Sequence, residues 1–155
     1  MSLRALACAA LLALAAPAVP AAAQQGPVAS AQSAYEADTG DAWIDARLRD
    51  LGDYAPRYPE AFADEIARYL DAPRGYVVAL GQQANWAPGD VYYACALAKA
   101  LAQPCRAVVR ARTQDDSDGW QGVAQRLAGK GKPIPYRIVR TLLRASYTHW
   151  ARPLD

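Results

Sequence analysis

The chain has 155 residues, 53% of them hydrophobic, with 17 basic and 15 acidic side chains, a single histidine and three cysteines. That length holds one domain with a real core and is too short for two ordinary ones. One histidine leaves little room for imidazole-based nucleophilic catalysis or for a histidine-rich zinc site.

Residues 1–23 have the order of a secretory signal: Arg4, an apolar run from Ala5 to Ala16, then Pro17 to Ala23 ending in three alanines before Gln24. The run falls short of the roughly 20 apolar residues that a membrane-spanning helix needs. Cleavage is expected after Ala23, placing the protein in the periplasm or outside the cell. Most of the apolar run follows Cys8, so a lipid anchor at that cysteine is not expected.

Residues 24–40 are rich in Ala, Gln, Ser and Gly and read as a flexible leader that buries too little surface to order itself. Asp41 then caps a first helix whose apolar residues Trp43, Ile44, Leu48 and Leu51 recur at helical spacing. Pro59 opens a second helix, with Phe62, Ile66, Tyr69 and Leu70 as its buried stripe. Asp71-Ala72-Pro73 opens a third, carrying Tyr76, Val77 and Leu80. Ala87-Pro88-Gly89-Asp90 opens a fourth and Gln103-Pro104 a fifth. Asp118, after Asp115 and Asp116, caps a sixth, and Pro135 opens a seventh. No segment alternates with β-branched enrichment, so strands lack support. The expected fold is a single all-α domain over 41–155, a compact array of six to seven short helices packed as helical hairpins.

Charge is uneven along the chain: residues 24–90 carry 5 basic and 11 acidic side chains, residues 91–155 carry 11 and 4. An anionic partner for the second half is one reading. The simpler one is that the two halves face each other and neutralise within the fold.

The elements Trp43-Ile44-Asp45-Ala46-Arg47-Leu48, Tyr54 with Arg57-Tyr58-Pro59, Trp86-Ala87-Pro88-Gly89-Asp90-Val91-Tyr92-Tyr93, and Gly119-Trp120 with Ala124 and Leu127 together resemble a group of small exported helical proteins of Gram-negative bacteria. The likeness covers most of residues 41–128 and closes at Ala151-Arg152-Pro153. It implies an exported all-helical domain and brings no catalytic residue to this chain.

Gly119-Trp120 with Val123-Ala124 and Leu127 is like the first helix of a helix-turn-helix, but Gly129-Lys130-Gly131-Lys132-Pro133 is too long for its tight turn, so no DNA partner is expected. Asp116, Asp118 and Gly119 match part of a calcium loop, yet Gln114 and Gln125 stand where acids are required, so no metal is expected; helix capping explains the acids. Lys130 and Lys132 form a candidate anion-binding loop, though Pro133 stands where a Walker loop places Ser or Thr. His149, beside Trp150, has no nucleophile-elbow sequence to serve and fits a surface or packing role. No cofactor is expected.

The most distinctive remaining feature is aromatic. Trp86, Tyr92 and Tyr93 are the candidates for an exposed patch that binds a protein or glycan partner. The more conservative reading has the Tyr and Trp side chains anchoring short helices to one another. The expected function is a non-catalytic interaction or envelope-associated module; the alternative is a small periplasmic hydrolase with a carboxylate site hidden from sequence.

Loss of Cys8 with the signal leaves Cys95 and Cys105 as an even pair, and an oxidising compartment permits a bridge. Cys95 precedes Ala102 by seven residues, roughly 10 Å of helix, whereas a bridge needs Cα atoms within about 7 Å. The segment Gln103 to Cys105 must therefore double back, which Pro104 permits. A structural disulfide is the expectation, and two buried free cysteines are the alternative.

Overall fold

The computed structural model describes residues 35–154, and the expected signal peptide lies outside them. Seven helices follow in order: α1 (Ala42–Arg57), α2 (Pro59–Tyr69), α3 (Arg74–Gly81), α4 (Pro88–Ala100), α5 (Cys105–Gln114), α6 (Gly119–Ala128) and α7 (Tyr136–His149). Among the described residues there is no strand, and the fold is all-α as expected. No helix among them is long and apolar enough to cross a membrane.

Local chemistry explains most boundaries. Asp41 Oδ1 accepts the N–H groups of Trp43 and Ile44 at 3.1 and 3.2 Å, satisfying donors that open a helix. Pro59 and Pro88 each occupy a first-turn position, where the missing N–H costs nothing. Asp118 precedes α6, but its side chain makes no capping bond. Its carboxylate pairs with Arg126 instead, at 3.5 Å, so the expected capping role is corrected.

The helix α4 sits at the centre, packed against α1, α3, α5 and α7. Every residue from Gly89 to Ala98 is buried. A helix that is apolar all round belongs in a core instead of on a surface, and its alanines let the neighbours approach closely. The outer helices present stripes to it: Ile44, Leu48 and Leu51 from α1, Val139 and Leu143 from α7, all fully buried.

Residues 35–40 depart from the expected free leader. Ala37 and Thr39 are buried, Gln121 N–H donates to the Asp38 carbonyl at 2.8 Å, and Tyr136 donates its hydroxyl proton to the Thr39 carbonyl at 2.6 Å. Composition undervalues such a segment because hydrogen bonds, more than apolar area, hold it down.

Three helices end with one device. Asp71, Ala102 and Ala151 each follow α2, α4 or α7 with positive φ (56°, 52° and 51°), and a proline stands two residues later in each case. After α4, Gln103 N–H reaches the Ala98 carbonyl at 2.8 Å and Ala102 N–H the Lys99 carbonyl at 3.2 Å. After α7, Arg152 N–H reaches Tyr147 at 2.9 Å and Ala151 N–H reaches Thr148 at 3.0 Å. Both are the paired bonds of a Schellman turn, which reverses the chain sharply. The reversal after α4 answers the geometric objection to a bridge: Cys95 and Cys105 have Cα atoms 4.5 Å apart and sulfurs 2.05 Å apart.

Acids of the first half meet bases of the second. Asp41 pairs with Arg140, Asp50 with Arg152 and Asp71 with Lys99. These pairs offset part of the charge asymmetry of the sequence, at the surface for Asp71–Lys99 and against a buried carboxylate for Asp41–Arg140.

Candidate functional site

Trp86, Tyr92 and Tyr93, expected as an exposed patch, are core residues. Trp86 is 8% exposed and the two tyrosines are fully buried. Trp86 and Tyr93 both set their rings edge-on to Trp120, at 6.2 and 5.0 Å between centroids, an arrangement favoured by ring quadrupoles. The Tyr92 hydroxyl shares a 2.7 Å hydrogen bond with Ser146 Oγ. The correction has a simple cause: two adjacent tyrosines imply one exposed face only on a helix that has a polar face, and α4 has none.

Lys130 and Lys132 are exposed on the loop between α6 and α7, where Gln125 Nε2 donates to the Lys132 carbonyl at 3.0 Å. Gly129 and Gly131 both have positive φ, which suits the loop. Neither lysine lines the hollows around Trp150 described below.

The exposed aromatic surface lies elsewhere, at the C-terminal end of α7. The Schellman turn at Ala151 folds Arg152 back over the rings of Tyr54 (4.8 Å) and Tyr147 (5.1 Å). Its guanidinium holds Asp50 by two hydrogen bonds, 2.7 and 2.8 Å, and the Tyr147 hydroxyl donates to the same carboxylate. Burial raises the Asp50 pKa, but the Arg152 and Tyr147 hydrogen bonds outweigh it and hold the carboxyl below its usual value. Burial, then Asp50 itself, pushes the Tyr147 hydroxyl well above the ordinary tyrosine range. The turn is thereby fixed to α1 by charge-assisted bonds and ring stacking.

Trp150, just before that turn, rests on Tyr54 at 4.7 Å and on Phe62 at 6.4 Å between centroids. It lines two hollows. One, of about 560 Å³, is lined by Asp53, Tyr54, Arg57, Tyr58 and Arg152. The other, of about 380 Å³, is lined by Asp64, Glu65, Arg68, Tyr69 and His149. Both volumes fall in the range of small-molecule sites, roughly 300–1,000 Å³. Tyr58 is 56% exposed and stacks on Tyr54 at 5.0 Å. Among the described residues Asp53, Arg57 and Arg68 make no ion pair or side-chain hydrogen bond.

In the second hollow His149 Nδ1 lies 2.8 Å from Glu65 Oε1 and its ring stacks on Tyr69 at 4.2 Å. Glu65 is 5% exposed, whereas Tyr69, expected in the buried stripe of α2, is 39% exposed. A carboxylate only accepts, so Nδ1 carries a proton toward it and Nε2 is the nitrogen left for other contacts. Sequence reasoning missed this surface because its parts come from residues 53–69 and 149–152. The one local hint was Ala151-Arg152-Pro153, a helix-stop pattern directly after Trp150.

No protein family, no characterised protein and no solved structure matches the chain. What these observations define is a class: an all-helical domain with a two-sided aromatic cleft centred on one indole.

Proposed function

We propose that this chain is an exported, non-catalytic interaction module, periplasmic or secreted, whose binding face is the cleft around Trp150. The signal-like order of residues 1–23 supports the location. One observation carries the binding face: Tyr58, Tyr54 and Trp150 form a continuous run of ring contacts that ends at solvent, beside the unpaired Asp53 and Arg57. Aromatic and arginine side chains that are rigid and partly exposed are the groups that carry binding energy at contact surfaces. Cleft residues lie on two helices and a pinned turn, so little order is lost on binding. The test is a pull-down from envelope extract with the mature protein beside an Arg57→Ala/Tyr58→Ala variant. A partner retained by the first and lost by the second supports the reading; identical recovery by both sinks the cleft as the binding face.

A second reading, a small hydrolase, is favoured by the Glu65–His149 contact. The buried carboxylate would orient the ring, and Nε2 would take a proton from water attacking an ester or amide held in the second hollow. Turnover of nitrophenyl esters that His149→Gln abolishes would support it. No turnover by the wild-type protein would count against it.

A further inference from the structure

We infer that the ligand of this cleft is a carbohydrate chain, an uncharged oligosaccharide long enough to cross Trp150 and reach both hollows. The inference rests on the interaction reading above and adds the ligand's chemistry.

Three observations point the same way. First, the rim is aromatic: Tyr58, 56% exposed, and the part-exposed Trp150 stand on the buried Tyr54, with centroid separations of 5.0 and 4.7 Å and interplanar angles of 36° and 38°. Such tilted faces match the C–H face of a pyranose ring, which is apolar on one side and ringed by hydroxyls. Second, the polar groups at the edge come in both signs. Asp53 offers only acceptors and Arg57 only donors, and neither has a partner among the described residues. A sugar hydroxyl both donates and accepts, so one ligand type satisfies both groups. A polyanion would satisfy Arg57 and meet repulsion from Asp53; the second hollow also carries both signs in its lining, with Arg68 and Asp64, while its Glu65 is already held by His149. Third, the site has neither feature that captures peptides. The described residues contain no strand edge for backbone pairing, and the lining of the first hollow is aromatic and charged apart from Ala151, too small to form an aliphatic anchor pocket.

The two hollows share Trp150 as a common wall. A ligand occupying both therefore has repeating units, each setting a ring face on an aromatic side chain and its hydroxyls on charged side chains of the rim.

The mature protein is titrated calorimetrically with hexasaccharides of β-linked glucose, β-linked N-acetylglucosamine, α-linked glucose and β-linked mannose, with polyglutamate and polylysine as controls. At least one hexasaccharide is expected to bind, the disaccharide of the same sugar at least tenfold more weakly. Affinity should be unchanged within twofold between 0.05 and 0.5 M salt, because no ion pair is formed. Tyr58→Ala and Asp53→Ala should each lower it at least tenfold. Tyr58 is largely exposed, so its variant keeps the wild-type melting temperature, which separates lost binding from lost folding. Silence from all four sugars at millimolar concentration overturns the carbohydrate assignment, as does binding of either polyelectrolyte that matches or exceeds the sugars. If the sugars fail while the pull-down partner still depends on Arg57 and Tyr58, the ligand class falls and the interaction reading stands; if both fail, both fall.

Discussion

Trp120 donates its indole N–H to Asp90 at 2.6 Å across 30 residues of sequence, and this bond joins the Trp86-Ala87-Pro88-Gly89-Asp90 stretch to the Gly119-Trp120 stretch. Asp90 also accepts the Tyr35 hydroxyl at 2.9 Å and the Ala87 N–H at 3.3 Å. Arg112 lies over the same indole at 4.7 Å from its centroid. One buried carboxylate thus ties the N-terminal strap, the start of α4 and α6 together.

Asp90→Ala removes that acceptor and leaves the Trp120 N–H and Tyr35 O–H unpaired in the interior. At roughly 1–3 kcal/mol for each unsatisfied group, the expected loss is about 2–6 kcal/mol of unfolding free energy. Urea denaturation of the two proteins measures it. Asp90→Asn keeps an acceptor oxygen and should lose less. Equal losses for the two substitutions would mean that packing, not hydrogen bonding, is what Asp90 contributes.

The seven helices were legible because their prolines and apolar spacing act locally, each within one turn or one stripe. What a helix faces is decided by its neighbours, and there sequence reasoning failed. Tyr92 and Tyr93 read as surface candidates until α4 is surrounded on every side. The alanines at 102 and 151 carry no mark of positive φ, a geometry that sequence rules assign to glycine. The cleft combines residues about a hundred positions apart, and only the turn that delivers Trp150 and Arg152 had a local signature.

Two substitutions involving glycine should therefore act in opposite directions. Left-handed backbone costs an L-residue roughly 1–2 kcal/mol, part of which glycine returns through its freer unfolded chain. Ala102→Gly is expected to raise stability by about 0.5–1 kcal/mol and the melting temperature by a few degrees. At Gly89 an added Cβ would come within 2.7 Å of the Leu48 carbonyl oxygen and of the Tyr35 hydroxyl. Gly89→Ala should therefore lose about 1–3 kcal/mol through overpacking, although alanine is the better helix former. Calorimetric melting decides both, and a stabilising Gly89→Ala would contradict the close packing of α1 on α4.

Cys95 and Cys105 close a short loop across the α4–α5 turn, with a sequence separation of 10. Mass spectrometry of the mature protein is expected to find no alkylated cysteine without reductant and two after reduction. Chain-entropy arguments for a loop of this size give about 3 kcal/mol. A Cys95→Ala/Cys105→Ala protein should unfold at correspondingly lower urea concentration while keeping its helical circular dichroism. Two alkylated thiols in unreduced protein would establish free cysteines instead.

Asp50 couples the cleft to pH. Its carboxyl is held below the ordinary value near 3.8 because hydrogen bonds from Arg152 and Tyr147, with the charges of Arg152 and Arg47, outweigh the opposing effect of burial. A depressed folded pKa means that the unfolded chain takes up this proton first as pH falls. The stabilisation is therefore complete above about pH 5, declines once pH drops below the unfolded value, and is gone below the folded one. The stability difference between wild type and Asp50→Asn, measured by urea denaturation, should be constant from pH 7 to 5 and shrink between pH 4 and 3. Arg152→Gln removes the leading cause of the depression and should abolish most of that pH dependence. It should also weaken ligand binding at pH 7, because the turn that places Trp150 then keeps only the Tyr147 hydrogen bond and the Trp150–Tyr54 ring contact to α1. A pH profile unchanged by Arg152→Gln would mean that Asp50 is held by its other neighbours and that the turn does not depend on this pair.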